Sequence, residues 1–182
     1  MPALRRLSLA ARFLILWVAA AAAQGKPTAP VGQVPAATTA TYGDWTLRCE
    51  TGAPGAPAQT FCEVVQTLQV EGKPAPVAQV AVGRPDHAPT LHFIVALPVN
   101  VSFPSTVVVG LDATDPKPLD LAWKRCLPGA CFADAIASDE ALQRWRAATA
   151  GRIRYVDAAG RDVVLPLSFR GLAPALDALG KR

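Results

Sequence analysis

The chain has 182 residues, with 18 basic side chains against 14 acidic, and is 51% hydrophobic but only 18% charged. Three of the basic groups, Arg5, Arg6 and Arg12, belong to what reads as a leader, so the mature chain is nearly neutral; a nucleic-acid role would need a basic patch, not bulk charge, and no nucleic-acid partner is expected. Glycine is dispersed without a phosphate-cradling loop, and no Gly-x-Ser-x-Gly elbow occurs, so neither nucleotide binding nor triad hydrolysis is encoded in a recognisable motif.

Residues 1–23 carry the pattern of an export signal. Arg5 and Arg6 form the positive start, Leu7–Ala22 is mostly apolar, and Ala21-Ala22-Ala23 offers small residues for cleavage before Gln24. Arg12 interrupts the run, and the stretch after it is well short of the roughly 20 apolar residues that span a bilayer. Residues 24–41 follow, QGKPTAPVGQVPAATTAT, nearly devoid of large apolar side chains. They are expected to form a flexible tether, and residues 42–182 a single domain.

Within that domain the dominant hydrophobic period is two. Strands are expected at Trp45–Cys49, Phe61–Val70, Pro76–Val82, Leu91–Leu97, Thr106–Leu111, Leu119–Cys126, Ala130–Ala133, Arg152–Val156 and Val163–Phe169, separated by segments rich in Pro, Gly and Asp. Many short strands with closely spaced turns predict an all-β, mainly antiparallel β-sandwich. A short helix is predicted near 138–149: Ser138 caps it, Asp139 and Glu140 put negative charge in its first turn, and Gly151 ends it. A second short helix is predicted at the C-terminus over Ala173–Leu179, with Leu172, Leu176 and Leu179 on one side.

The four cysteines, Cys49, Cys62, Cys126 and Cys131, suit disulfides in an exported protein. Their spacings lack the close pairs of a zinc ribbon, and Cys126-Leu-Pro-Gly-Ala-Cys131 is longer than a thioredoxin-type Cys-x-x-Cys. Four cysteines allow three pairings; local closure across turn-rich intervals favours Cys49–Cys62 and Cys126–Cys131. Of the two histidines, His87 falls in a loop beside Asp86, and His92 points away from the Leu91, Phe93 and Val95 face. No catalytic, cofactor-binding or metal-binding residue is assigned. One candidate interaction surface is basic: Arg144 and Arg146 flank Trp145 on the expected helix, and Arg152 and Arg154 share a strand face.

Several short segments occur in a set order: Tyr42-Gly-Asp-Trp45 before Cys49, Phe61-Cys-Glu63, Leu97-Pro98, Cys126 with Gly129-x-Cys131-x-Ala133, Gly151, then Leu165-Pro-Leu-Ser168 with Gly171-Leu-x-x-Ala175-Leu176. Over about residues 42–180 this order resembles the invasion-associated locus B family. The family motif that often reads Gly-Phe is Gly171-Leu172 here, a conservative departure. The resemblance implies an all-β, secreted, periplasmic or envelope-associated bacterial protein, in some pathogens linked to host-cell invasion, with no catalytic residues to carry over. The expected partner is therefore a protein or an envelope component, met outside the cytoplasm of a Gram-negative-type bacterium. A periplasmic enzyme and a carrier holding a small ligand in an internal cavity are the rival readings.

Overall fold

A computed structural model describes residues 37–52, 60–85 and 88–181. The expected export signal, the tether up to residue 36, and Asp86 and His87 lie outside the described residues. The elements run β1 (Ala37–Tyr42), β2 (Trp45–Thr51), β3 (Thr60–Leu68), β4 (Ala78–Gly83), β5 (His92–Leu97), β6 (Val107–Gly110), β7 (Leu119–Leu127), β8 (Ala130–Ile136), α1 (Asp139–Ala147), β9 (Ala150–Val156), β10 (Asp162–Ser168) and α2 (Leu172–Leu179).

The strands form an antiparallel sheet in the order β1-β2-β3-β4-β5-β8-β7-β6-β9-β10. The turning point is β7. Its first residues pair with β6, Val107 opposite Leu121, whereas Ala122 to Leu127 pair with β8, with an irregularity between Trp123 and Arg125. A strand that changes partners through a bulge lets one continuous sheet fold over itself. The inner faces then share one core. Alternation supplies it: Trp45 and Leu47 from β2, Phe93, Val95 and Leu97 from β5, Val107 and Val109 from β6, Ile153 from β9, and Leu165 and Leu167 from β10 are all buried.

The helix α1 starts where its sequence signals place it, because the Ser138 side chain accepts a hydrogen bond from the Ala141 amide. Its buried face is Ala141, Leu142 and Trp145. Trp145 meets Phe93 edge-on at 4.9 Å and stacks on Phe169 at 5.6 Å. Such aromatic pairs add about 0.5–1.5 kcal/mol each beyond burial. Packed against α1 and the β1–β3 end, α2 buries Leu172, Ala175, Leu176 and Leu179.

Two expectations need correction. Residues 37–41, read as tether, form most of β1: the turn at Gly43 lays them along β2 with Tyr42 opposite Trp45, and main-chain pairing requires no large apolar side chain. Gly151 does not end α1, which stops at Ala147, but sits inside β9. Its missing side chain admits a close approach, since a Cβ there would lie 2.5 Å from the Phe169 ring and 2.8 Å from the Gly110 carbonyl oxygen.

Candidate functional site

Both cysteine pairs are disulfides between directly opposed residues, Cys49–Cys62 across β2 and β3 and Cys126–Cys131 across β7 and β8. In a two-residue hairpin the closing pair exchanges hydrogen bonds and the next pair does not, so side chains approach most closely at alternate rows. Leu127 opposite Ala130 closes the Pro128-Gly129 turn. Cys126 and Cys131 are the next row, with Cα atoms 3.9 Å apart. Cys49 and Cys62 have the same relation at 4.1 Å. The second bridge therefore braces a turn tip, with Cys131 buried and Cys126 exposed.

The four arginines do not assemble into one cationic face. Arg144 donates to the Lys117 carbonyl at 2.6 Å and pairs with the buried Asp115 carboxylate; Arg146 donates to Asp177 at 2.7 Å and to the Ala173 carbonyl at 3.2 Å. Arg154 pairs with Asp162 at 3.3 Å on the neighbouring strand. Arg152 and Arg154 do share a hollow with Asp112 and Asp115, so the basic groups there face carboxylates. These partners lie far along the chain or on the adjacent strand, which is why sequence proximity alone suggested a patch.

Tyr42-Gly-Asp-Trp45 and the segment around Ser168 meet at the seam where β10 folds over β3. Gln66 treats Ser168 as a neighbouring strand would: its Nε2 donates to the Ser168 carbonyl at 2.9 Å and its Oε1 accepts from the Ser168 amide at 3.1 Å. Trp45 Nε1 donates to the same carbonyl at 2.9 Å. Asp44 accepts from Ser168 Oγ at 2.5 Å and from Arg170 Nε at 3.0 Å. The Ser168 hydroxyl first, and then Arg170, hold the Asp44 carboxyl below its ordinary pKa. A groove of about 650 Å³ opens here, and four of its polar residues, Asp44, Gln66, Ser168 and Arg170, are tied to one another. The network latches the sheet.

A second hollow, of about 700 Å³, lies on the outer face of β5, β7 and β8. Phe61, Ile94 and Phe132 supply apolar walls, and His92, Lys124 and Asp134 supply charge or titratable nitrogen. Lys124 Nζ is 3.2 Å from Asp134, whereas His92 Nδ1 is 3.7 Å from it and has no hydrogen-bond partner among the described residues. Among the described residues that line the hollow there is no serine, threonine or cysteine. Among the described residues no three or more His, Cys, Asp or Glu side chains gather as metal ligands.

The feature absent from the sequence expectations is an apolar end. Val99, Phe103 and Leu127 are each about half exposed, at 56%, 58% and 49%. Leu127 is at the β7–β8 tip, and Leu97 pairs with Cys131 beside that tip, so the chain leaves β5 into Pro98-Val99 at the same end. The segment then crosses to β9, where the Ser102 amide donates to the Val156 carbonyl, and Phe103 lies 5.6 Å from the Trp123 ring. Arg125 sits over the Phe132 ring at 5.7 Å. The only signal in the sequence was large apolar residues within proline-containing turns.

Fold and site together define a two-disulfide, antiparallel β protein with exposed apolar side chains in its turns. No curated protein matches the chain. The model of the family described as invasion associated locus B (IalB) protein matches residues 45–180, and the chain belongs to that family. Among solved structures, the crystal structure of invasion associated protein B from Bartonella henselae is similar, with a TM-score of 0.65 at 17% identity over 79% of this chain and 95% of that one. That likeness establishes the shared fold.

Proposed function

We propose that the mature chain is a non-enzymatic, secreted or envelope-associated binding module that acts through contacts with a protein or envelope partner, in host-cell interaction where the organism has a host. The observation that carries this reading is the exposure of three large apolar side chains, Val99, Phe103 and Leu127, in turns toward the β5–β7–β8 end, since exposed apolar surface of this kind marks contact sites. The polar groups of the seam are already paired with one another, which favours a latch over a reaction centre. An internal carrier is disfavoured because the interior is filled by Trp45, Trp145, Phe93, Phe169, Leu121 and Ile153.

Export follows from the basic, apolar and small-residue order of residues 1–23, and the disulfides suit an oxidising compartment. No described helix is long and apolar enough to cross a membrane. The test is affinity capture from envelope extracts with immobilised residues 24–182, in parallel with a Val99→Ser/Phe103→Ser/Leu127→Ser variant. Wild type is expected to retain an envelope component that the variant loses. Equal recovery by both, or turnover of an envelope substrate without any retained component, would overturn the reading.

A further inference from the structure

The β7–β8 tip has a layered chemistry along its axis. At its end stand Leu127 and Pro128, both exposed, closed by Gly129 with φ of 100°. Lys124 and Arg125 come three and two residues earlier on the same strand, also exposed. At about 3.4 Å per residue, they lie roughly 7 to 10 Å behind the tip. Lys124 shares its charge with Asp134, and Arg125 has no carboxylate at ion-pair distance among the described residues. Two other carboxylates toward this end, Asp157 and Asp162, are matched by Arg161 and Arg154.

We propose that this tip is an interfacial anchor for a bilayer containing anionic phospholipid, with Leu127 and Pro128 entering the acyl boundary, Arg125 and Lys124 at the phosphate level, and Val99, in the loop that leaves β5 at the same end, widening the contact. The proposal rests on the envelope-contact reading and names its partner. Three features select a lipid surface over a peptide. The apolar residues sit on a convex turn, whereas peptide ligands dock in grooves or along strand edges. The spacing of charge behind apolar side chains matches the depth of about 5–10 Å to which interfacial segments bury. The cations complement the negative surface of such a membrane, which attracts each nearby Lys or Arg.

The tip is also rigid before it binds. Its two-residue turn is braced in the adjacent row by the Cys126–Cys131 bridge, so insertion orders little new structure. The opposite end of β8 provides an internal control, because Ile136 is 57% exposed yet lies beside His92 at the far end of the strand.

The experiment is co-flotation of residues 24–182 with vesicles of phosphatidylcholine alone or mixed with phosphatidylglycerol, at low and high salt. Binding is expected only with phosphatidylglycerol and is expected to weaken as salt rises. Leu127→Ser is expected to reduce the partition about tenfold, from the apolar area withdrawn, and Arg125→Gln about fivefold. Ile136→Ser should leave it unchanged. Identical thermal melts of the variants exclude unfolding as the cause. Failure to float with phosphatidylglycerol, or flotation that Leu127→Ser does not reduce, overturns the anchor. If envelope capture still retains a protein partner in that case, the binding-module reading survives and the lipid assignment alone falls.

Discussion

Gly171 shows how single positions of the family motif are set by close approach. It has φ of 88° at the start of α2, and a Cβ placed there would lie 1.9 Å from the Tyr42 carbonyl oxygen. Gly43, with φ of 58°, faces the same junction, where a Cβ would stand 2.8 Å from the Arg170 carbonyl oxygen. The two glycines let the first hairpin and the last loop touch through main chain, and the Asp44 amide donates to the Arg170 carbonyl at 3.1 Å. Gly160 has a similar φ of 78° but nothing near its missing Cβ. Gly171→Ala is therefore expected to destabilise the fold by about 3 kcal/mol or more, combining strain with a main-chain clash, and Gly160→Ala by only about 1 kcal/mol. Urea unfolding of both variants checks this, and equal losses would contradict the close-approach account. The Gly171 motif was visible in the sequence, but its cause was not, since Tyr42 is remote along the chain.

At the scale of elements, the disulfides illustrate what local closure can and cannot contribute. Their sequence separations are 13 and 5 residues. Chain-entropy reasoning then assigns about 3 kcal/mol to Cys49–Cys62 and about 2 kcal/mol to Cys126–Cys131. A Cys49→Ala/Cys62→Ala protein is expected to lose more stability than Cys126→Ala/Cys131→Ala, while both still fold, as equilibrium denaturation of each would reveal. The reverse order would show that strand pairing, and not loop closure, governs their contribution. The caps and period of α1 were readable because they lie within ten residues of one another. The strand β1 was not, because it is stabilised by its neighbour's main chain and not by side chains of its own. The exposed turns were equally hidden: Val99, Phe103 and Leu127 are unremarkable in the sequence, and only the fold leaves each of them about half exposed.

The whole molecule carries a set of carboxylates held in the charged form, which fixes the direction of its acid response. Asp157 is kept below its ordinary pKa chiefly by the Arg161 side chain, then by the Arg161 and Ala159 amides. For Asp115, burial alone would raise the value, but the Leu111 and Lys117 amides and Arg144 outweigh it. With Asp44, these groups titrate lower in the folded chain than at about 3.9 in the unfolded one. Their contribution is therefore complete above that unfolded value and is lost as pH falls through the lower folded values. The urea midpoint is expected to drop below about pH 4, and Asp157→Asn is expected to lower it at neutral pH while making the acid decline shallower. Parallel acid declines in wild type and Asp157→Asn would show that Asp157 is not among the groups responsible. By itself the sequence determined the β class and the short helices, because period, caps and turns act over a few residues; it favoured local cysteine pairing, which the strand register then fixed. Only the tertiary structure decided that Arg144, Arg146 and Arg154 are consumed by Asp115, Asp177 and Asp162, that Gln66 latches Ser168, and that exposed Leu127 and Pro128 stand at a turn tip with Lys124 and Arg125 behind them. Those outcomes depend on how β7 changes partners and folds the sheet over, which brings together residues that no local pattern connects.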